Sequence, residues 1–121
     1  MKYQSVVQVQ SAIAPDVSYS VAKMSFSRRS EVLRQVRELA RKMEFLEAGQ
    51  EPGQKMDAVL LRVEVERLYL RCGLLGVSGL ELDGMEATPE TLAEAGPENL
   101  FREALTAVRA QMGLTGDERK N

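Results

Sequence analysis

Leu80-Glu81-Leu82-Asp83-Gly84-Met85-Glu86-Ala87-Thr88-Pro89-Glu90 is the stretch that decides the fold of this chain. Leu80 and Leu82 alternate with acidic residues, as in a half-exposed strand. Asp83-Gly84 suits a tight hairpin, because glycine accepts φ > 0 without steric cost. Thr88 followed by Pro89 reads as an N-cap with proline at the first helical position, where no N–H is required. Strand pattern, turn and helix start lie side by side, so the segment joins a small sheet to the last helices. The fold class is therefore mixed, α+β.

Upstream, residues Gln4 to Gln10 alternate Val7 and Val9 with Gln8 and Gln10, and Ala14-Pro15-Asp16 supplies turn chemistry. Val17, Tyr19 and Val21 then alternate with Ser18, Ser20 and Ala22. The pattern predicts an N-terminal antiparallel hairpin with its serines and glutamines on the wetter face. Ser27 or Ser30 is the expected cap of the first long helix, in which Val32, Val36, Leu39, Met43 and Leu46 form one stripe. Gly49 through Gly53, with Pro52 between, breaks the chain. A second long helix is expected from Lys55 to Cys72. Met56, Val59, Leu60 and Val63 cover one side of it, and Leu61, Val65, Leu68 and Tyr69 widen the apolar arc. It reads as a central helix, buried on more than one side. Gly73 to Gly79 reads as a glycine-punctuated connector; it lacks the spacing and lysine of a phosphate-binding loop. The strands expected at Leu80–Ala87 would extend the N-terminal hairpin to three or four strands. Thr88 starts a short helix ending near Gly96. Pro97 lies in the first turn of another, carrying Leu100, Phe101, Ala104, Leu105, Val108 and Met112 and ended by Gly113. Leu114 to Asn121 is expected to be a fraying polar tail of a single domain spanning 1–121.

Composition narrows the function classes. The chain has 121 residues, 44% hydrophobic and 28% charged, with a net charge of −2, so a surface basic throughout and made for nucleic acid is not expected. A single cysteine, Cys72, rules out an internal disulfide, and no apolar run approaches the ~18 residues of a membrane span. The N-terminus lacks a signal-peptide pattern, and a soluble, cytoplasmic protein is expected. Histidine is absent, which removes the commonest general base, the Ser-His and Cys-His pairs and the usual zinc ligands. Cys72 ends an apolar helix and reads as a small core residue rather than a nucleophile. Glu81, Asp83 and Glu86 cluster on the hairpin without the spacing of a calcium loop and read as a solvated turn. Glu64 and Glu66 have Arg62, Arg67 and Arg71 beside them for simple ion pairs. No catalytic residue, metal or cofactor is expected, and hence no enzyme. On the first helix Arg34, Arg37 and Arg41 share a basic face that suits nucleic acid or an acidic partner, although Glu31, Glu38 and Glu44 interleave at pairing distance. Met43, Met56 and Met112 fit core stripes, whereas Met24 and Met85 sit where they can face outward.

Phe26-Ser27-Arg28-Arg29, Phe45-Leu46-Glu47-Ala48-Gly49, the run from Gly79-Leu80 through Asp83-Gly84 to Ala87-Thr88-Pro89, Gly96-Pro97-Glu98 and the terminal Glu118-Arg119-Lys120-Asn121 together carry a resemblance. From Phe26 onward the chain resembles the small tail assembly chaperones encoded by phages and prophages. The resemblance implies a protein that binds the long helical tape-measure protein and recruits tail-tube subunits, then leaves before the virion is complete, in the host cytoplasm. It also implies a longer form made by ribosomal frameshifting, which codons AGA-AAA-AAC for Arg119-Lys120-Asn121 would permit. A chaperone of this kind needs an apolar groove or stripe rimmed by charge. The expected walls are the basic first helix, with Arg34, Arg37 and Arg41, and the last helix, with Phe101, Leu105 and Met112. An exposed apolar patch beyond the ordinary few hundred Å² is expected with them. Two other classes stand beside this one: a structural head–tail connector or tail completion protein, and a regulator that meets nucleic acid or a nucleic-acid enzyme through the basic helix. Homo-oligomerisation is left open.

Overall fold

The computed structural model describes residues 1–113; the tail expected over 114–121 lies outside the described residues. The elements run β1 (Val6–Gln10), β2 (Ser18–Ala22), α1 (Phe26–Glu47), α2 (Pro52–Gly73), β3 (Leu74–Ser78), β4 (Glu81–Leu82), β5 (Met85–Glu86), α3 (Pro89–Ala95) and α4 (Glu98–Gln111). The α+β class is as expected: N-terminal hairpin, two long helices, short hairpin, closing helices. The chain forms two compact units. The first contains residues 1–24 and everything described from Tyr69 on; the second is Ser25–Leu68.

In the first unit β1 and β2 pair antiparallel with Val7 opposite Val21 and Val9 opposite Tyr19. Gln8 and Gln10 are exposed, and the Ser20 hydroxyl donates to Gln8 Oε1 at 3.1 Å across the wetter face. The third strand is not the Leu80–Ala87 segment but β3, in the place where the sequence reads as a connector, and it pairs antiparallel with β2. Its glycines obscured it: Leu74 and Val77 are three apart, which breaks the strand period of two. A bulge opposite Ser20 and Val21 absorbs the extra residue, so that Leu74 and Val77 are both buried while Leu75 stays exposed.

The segment at Leu80–Ala87 forms its own two-stranded sheet and does not extend the hairpin. Asp83 and Gly84 both take positive φ, 53° and 82°, the geometry of a two-residue hairpin turn that matches strand twist. Thr88 caps α3 as expected: its hydroxyl accepts from the Thr91 N–H at 3.1 Å, and Thr91 Oγ1 accepts from the Thr88 N–H at 2.8 Å. Pro97 stands one residue before α4, at its N-cap rather than in its first turn. Helix α4 packs on β2 and β3 with α3 beside it, and Tyr19, Val21, Leu92, Val108 and Met112 are wholly enclosed in this core.

In the second unit α1 is capped by Ser25, whose hydroxyl accepts from the Arg28 N–H at 3.1 Å; Ser27 and Ser30 lie inside the helix. The stripe from Val32 to Leu46 is the less exposed side of α1, and Val32 is fully buried. Helix α2 begins at Pro52, three residues before the expected start, because proline at the first helical position costs no hydrogen bond. Burial along α2 departs from expectation. Ala58 and Leu68 are buried, but Met56, Val59, Leu60 and Val63 are exposed, so Met56 is no core methionine.

Gly79, at φ 78°, leads from β3 towards the short hairpin, and a Cβ there would run into the Asp16 carbonyl oxygen. Gly79→Ala is expected to destabilise the first unit by about 2–3 kcal/mol, since both the left-handed backbone and the close approach exclude a side chain. Chemical denaturation of the two proteins checks this.

Candidate functional site

Two places in the molecule combine polar and apolar groups in ways that bear on function, one in each unit.

In the first unit Glu103 lies on the apolar arc of α4 beside Leu100 and Ala104. Its Oε1 accepts from the Ser11 hydroxyl at 2.5 Å and the Tyr19 hydroxyl at 2.8 Å, and its Oε2 from the Ala12 N–H at 2.8 Å. Ser11 is buried, and its oxygen also accepts from the Ile13 and Ala14 N–H groups, both at 3.0 Å, which folds the turn after β1. Burial alone would push the Glu103 carboxyl up. The hydrogen bonds from Ser11, Tyr19 and the backbone outweigh it and hold the carboxyl below its ordinary range. Burial, then the Glu103 bond and charge, push the Tyr19 phenol well up, so it keeps its proton. A carboxylate already engaged by three donors is a weak proton acceptor. The cluster is a clamp between the β1–β2 turn and α4, not an acid–base pair. Sequence reasoning passed over it; its only signals were a tyrosine in an apolar strand register and a glutamate on an apolar helix arc.

In the second unit the features lie on the surface. Helices α1 and α2 line a groove of about 400 Å³ with Arg41, Lys42, Phe45, Leu46 and Leu61. A second groove, about 560 Å³, shares Leu46 and Leu61 and is otherwise lined by α2 through Asp57, Leu60, Val63, Glu64 and Arg67. Arg62 of α2 pairs with Glu47 of α1 at 3.0 Å, an exposed pair of small energetic weight. Next to the grooves Phe45 is 73% exposed, Met56 62%, Leu60 57%, Val59 49% and Val63 39%. Met56, Val59, Leu60 and Val63 follow the i, i+3, i+4, i+7 spacing of a single helical stripe. This apolar surface is continuous along the helix rather than scattered singly.

The residues expected to bind a partner fall into two groups. Arg34, Arg37 and Arg41 are exposed on α1. Arg34 is engaged by Glu31, whose carboxyl is held low by the Gln35 amide and then by Arg34. Among the described residues neither Arg37 nor Arg41 has a carboxylate within pairing distance. Phe101 is half-buried and keeps part of its ring at the surface, whereas Leu105 and Met112 are enclosed in the first unit's core, so these two are core packing and not a binding wall. Periodicity marks an apolar stripe in both helices but does not say which one is covered. Glu81, Asp83 and Glu86 are exposed, and Cys72 is half-buried. Among the described residues no cluster of acidic or cysteine side chains is placed to hold a metal, and no described helix is long and apolar enough to cross a membrane.

A group whose pKa is lowered on folding contributes stability above its unfolded pKa and loses it as pH falls through the folded value. Glu103→Gln is therefore expected to lower stability by about 1–2 kcal/mol at neutral pH. The gap to the wild type should close as pH falls below about 4. Thermal unfolding across that range checks this; a gap that does not change with pH would contradict the clamp. In comparisons with protein-family models, curated proteins and solved structures, none matches the chain.

Proposed function

We propose that this protein is a non-enzymatic binding protein whose second unit holds an apolar helical segment of a client, in the manner of the phage tail assembly chaperones its sequence resembles. The client in that reading is the tape-measure protein, and tail-tube subunits are the second partner. The observation that carries the reading is that α2 is apolar on opposite sides. Ala58, Leu61, Val65 and Leu68 occupy its more enclosed side, while Met56, Val59, Leu60 and Val63 stand outward in solvent. A helical apolar stripe ordinarily faces a core or a partner, and an outward stripe of this length fits a helix laid along it. Arg41 and Lys42 rim the adjoining groove, which gives an apolar floor a polar border.

Titration of a labelled amphipathic helical peptide from a tape-measure protein tests this. Saturable binding by the wild type is expected, with a loss of about tenfold or more in Leu60→Glu, where a charge interrupts the stripe. Leu60 is exposed, so the variant should keep the wild-type circular dichroism spectrum. Failure to bind any such peptide, or equal binding by the variant, would overturn the proposal.

A further inference from the structure

We infer that a second copy of this chain packs on the outward face of α2, with the two α2 helices parallel about a two-fold axis. The inference stands on how charge is arranged around the stripe. Lys55-Met56-Asp57 recurs one heptad later as Arg62-Val63-Glu64. At about 100° per residue, Lys55 and Arg62 fall on one flank of the stripe and Asp57 and Glu64 on the other. All six side chains are exposed. From Lys55 to Glu64 the face is thus apolar in the middle, basic along one edge and acidic along the opposite edge. One turn on, Glu66 follows Arg62 on the basic flank and Arg67 follows Val63 on the stripe, which bounds the self-complementary stretch to these two heptads.

Such a face complements itself in one orientation. A two-fold axis parallel to the helices sets the basic edge of one copy against the acidic edge of the other, on both sides of the contact. An antiparallel pairing instead sets each edge against itself, like charge facing like. The stripe of Met56, Val59, Leu60 and Val63 supplies the apolar contact, and the edges select orientation and partner. A second copy and a client helix would occupy the same stripe, so they compete. Self-association is measured with no client present, so its outcome is separate from that of the chaperone reading.

Sedimentation equilibrium of the full chain, from micromolar to sub-millimolar concentration, should show a monomer–dimer equilibrium that Leu60→Glu abolishes without changing the circular dichroism spectrum. The double variant Asp57→Lys, Glu64→Lys makes both edges basic, and Lys55→Glu, Arg62→Glu makes both acidic. Each alone should associate about tenfold more weakly than the wild type, and an equimolar mixture should recover association as a heterodimer. A chain that stays monomeric throughout, or a Leu60→Glu variant that dimerises like the wild type, overturns the inference. Double variants that associate as well as the wild type overturn it too, because that is the behaviour of antiparallel helices.

Discussion

The first unit depends on one carboxylate. Three donors from two separate stretches of chain converge on Glu103: the Ser11 hydroxyl and the Ala12 N–H from the turn after β1, and the Tyr19 hydroxyl from β2. A half-buried charge is tolerated only where hydrogen bonds replace lost water. Here they do so while fixing the hairpin against α4. Ser11 acts twice, donating to Glu103 and accepting from Ile13 and Ala14, so the shape of the turn and the seating of the helix are set together. Tyr19, at the centre of the sheet with no exposed surface, has its hydroxyl near both Glu103 and the Leu100 carbonyl. Removing the carboxylate leaves several groups without a partner at once.

The second unit follows a different logic. The Glu31–Arg34 and Glu47–Arg62 pairs are exposed and weak, and apolar side chains of both helices stand in solvent. Its organising constraint is the composition of α2, which is apolar on two opposite sides with charged residues on the flanks between them. Leu46 of α1 and Leu61 of α2 line both grooves, where the two helices share apolar surface. The outward stripe of Met56, Val59, Leu60 and Val63 stays open. The charged residues on either side of the open stripe make it a bordered face rather than a stray hydrophobic spot.

Legibility in the sequence followed locality. The turn at Asp83-Gly84, the cap at Thr88 and the N-terminal hairpin were readable because each is decided by a few neighbouring residues. Ser25 was missed as the cap of α1 because Ser27 and Ser30 compete for the same role and only backbone geometry chooses. Strand β3 was missed because Gly73, Gly76 and Gly79 look like punctuation and its apolar residues fall out of period. The clamp at Glu103 joins residues about ninety positions apart, a pairing that no local pattern encodes. For the surface, the stripe on α2 was visible as residues but was assigned to the interior, while Leu105 was assigned to a binding wall and Met112 to both that wall and a core stripe. Burial is a property of what packs alongside, and periodicity carries only half of it.

The bulge between β2 and β3 has a consequence for how the molecule stays apart from its neighbours. Strand β3 is one edge of the three-stranded sheet, and a straight edge offers unpaired N–H and C=O groups to any passing strand. The extra residue twists that edge and interrupts its regular register, which makes it a poor template for edge-to-edge growth. The irregularity that hid β3 from its own sequence pattern thus also disfavours strand addition at the β3 edge, whereas the opposite edge, β1, keeps a regular register.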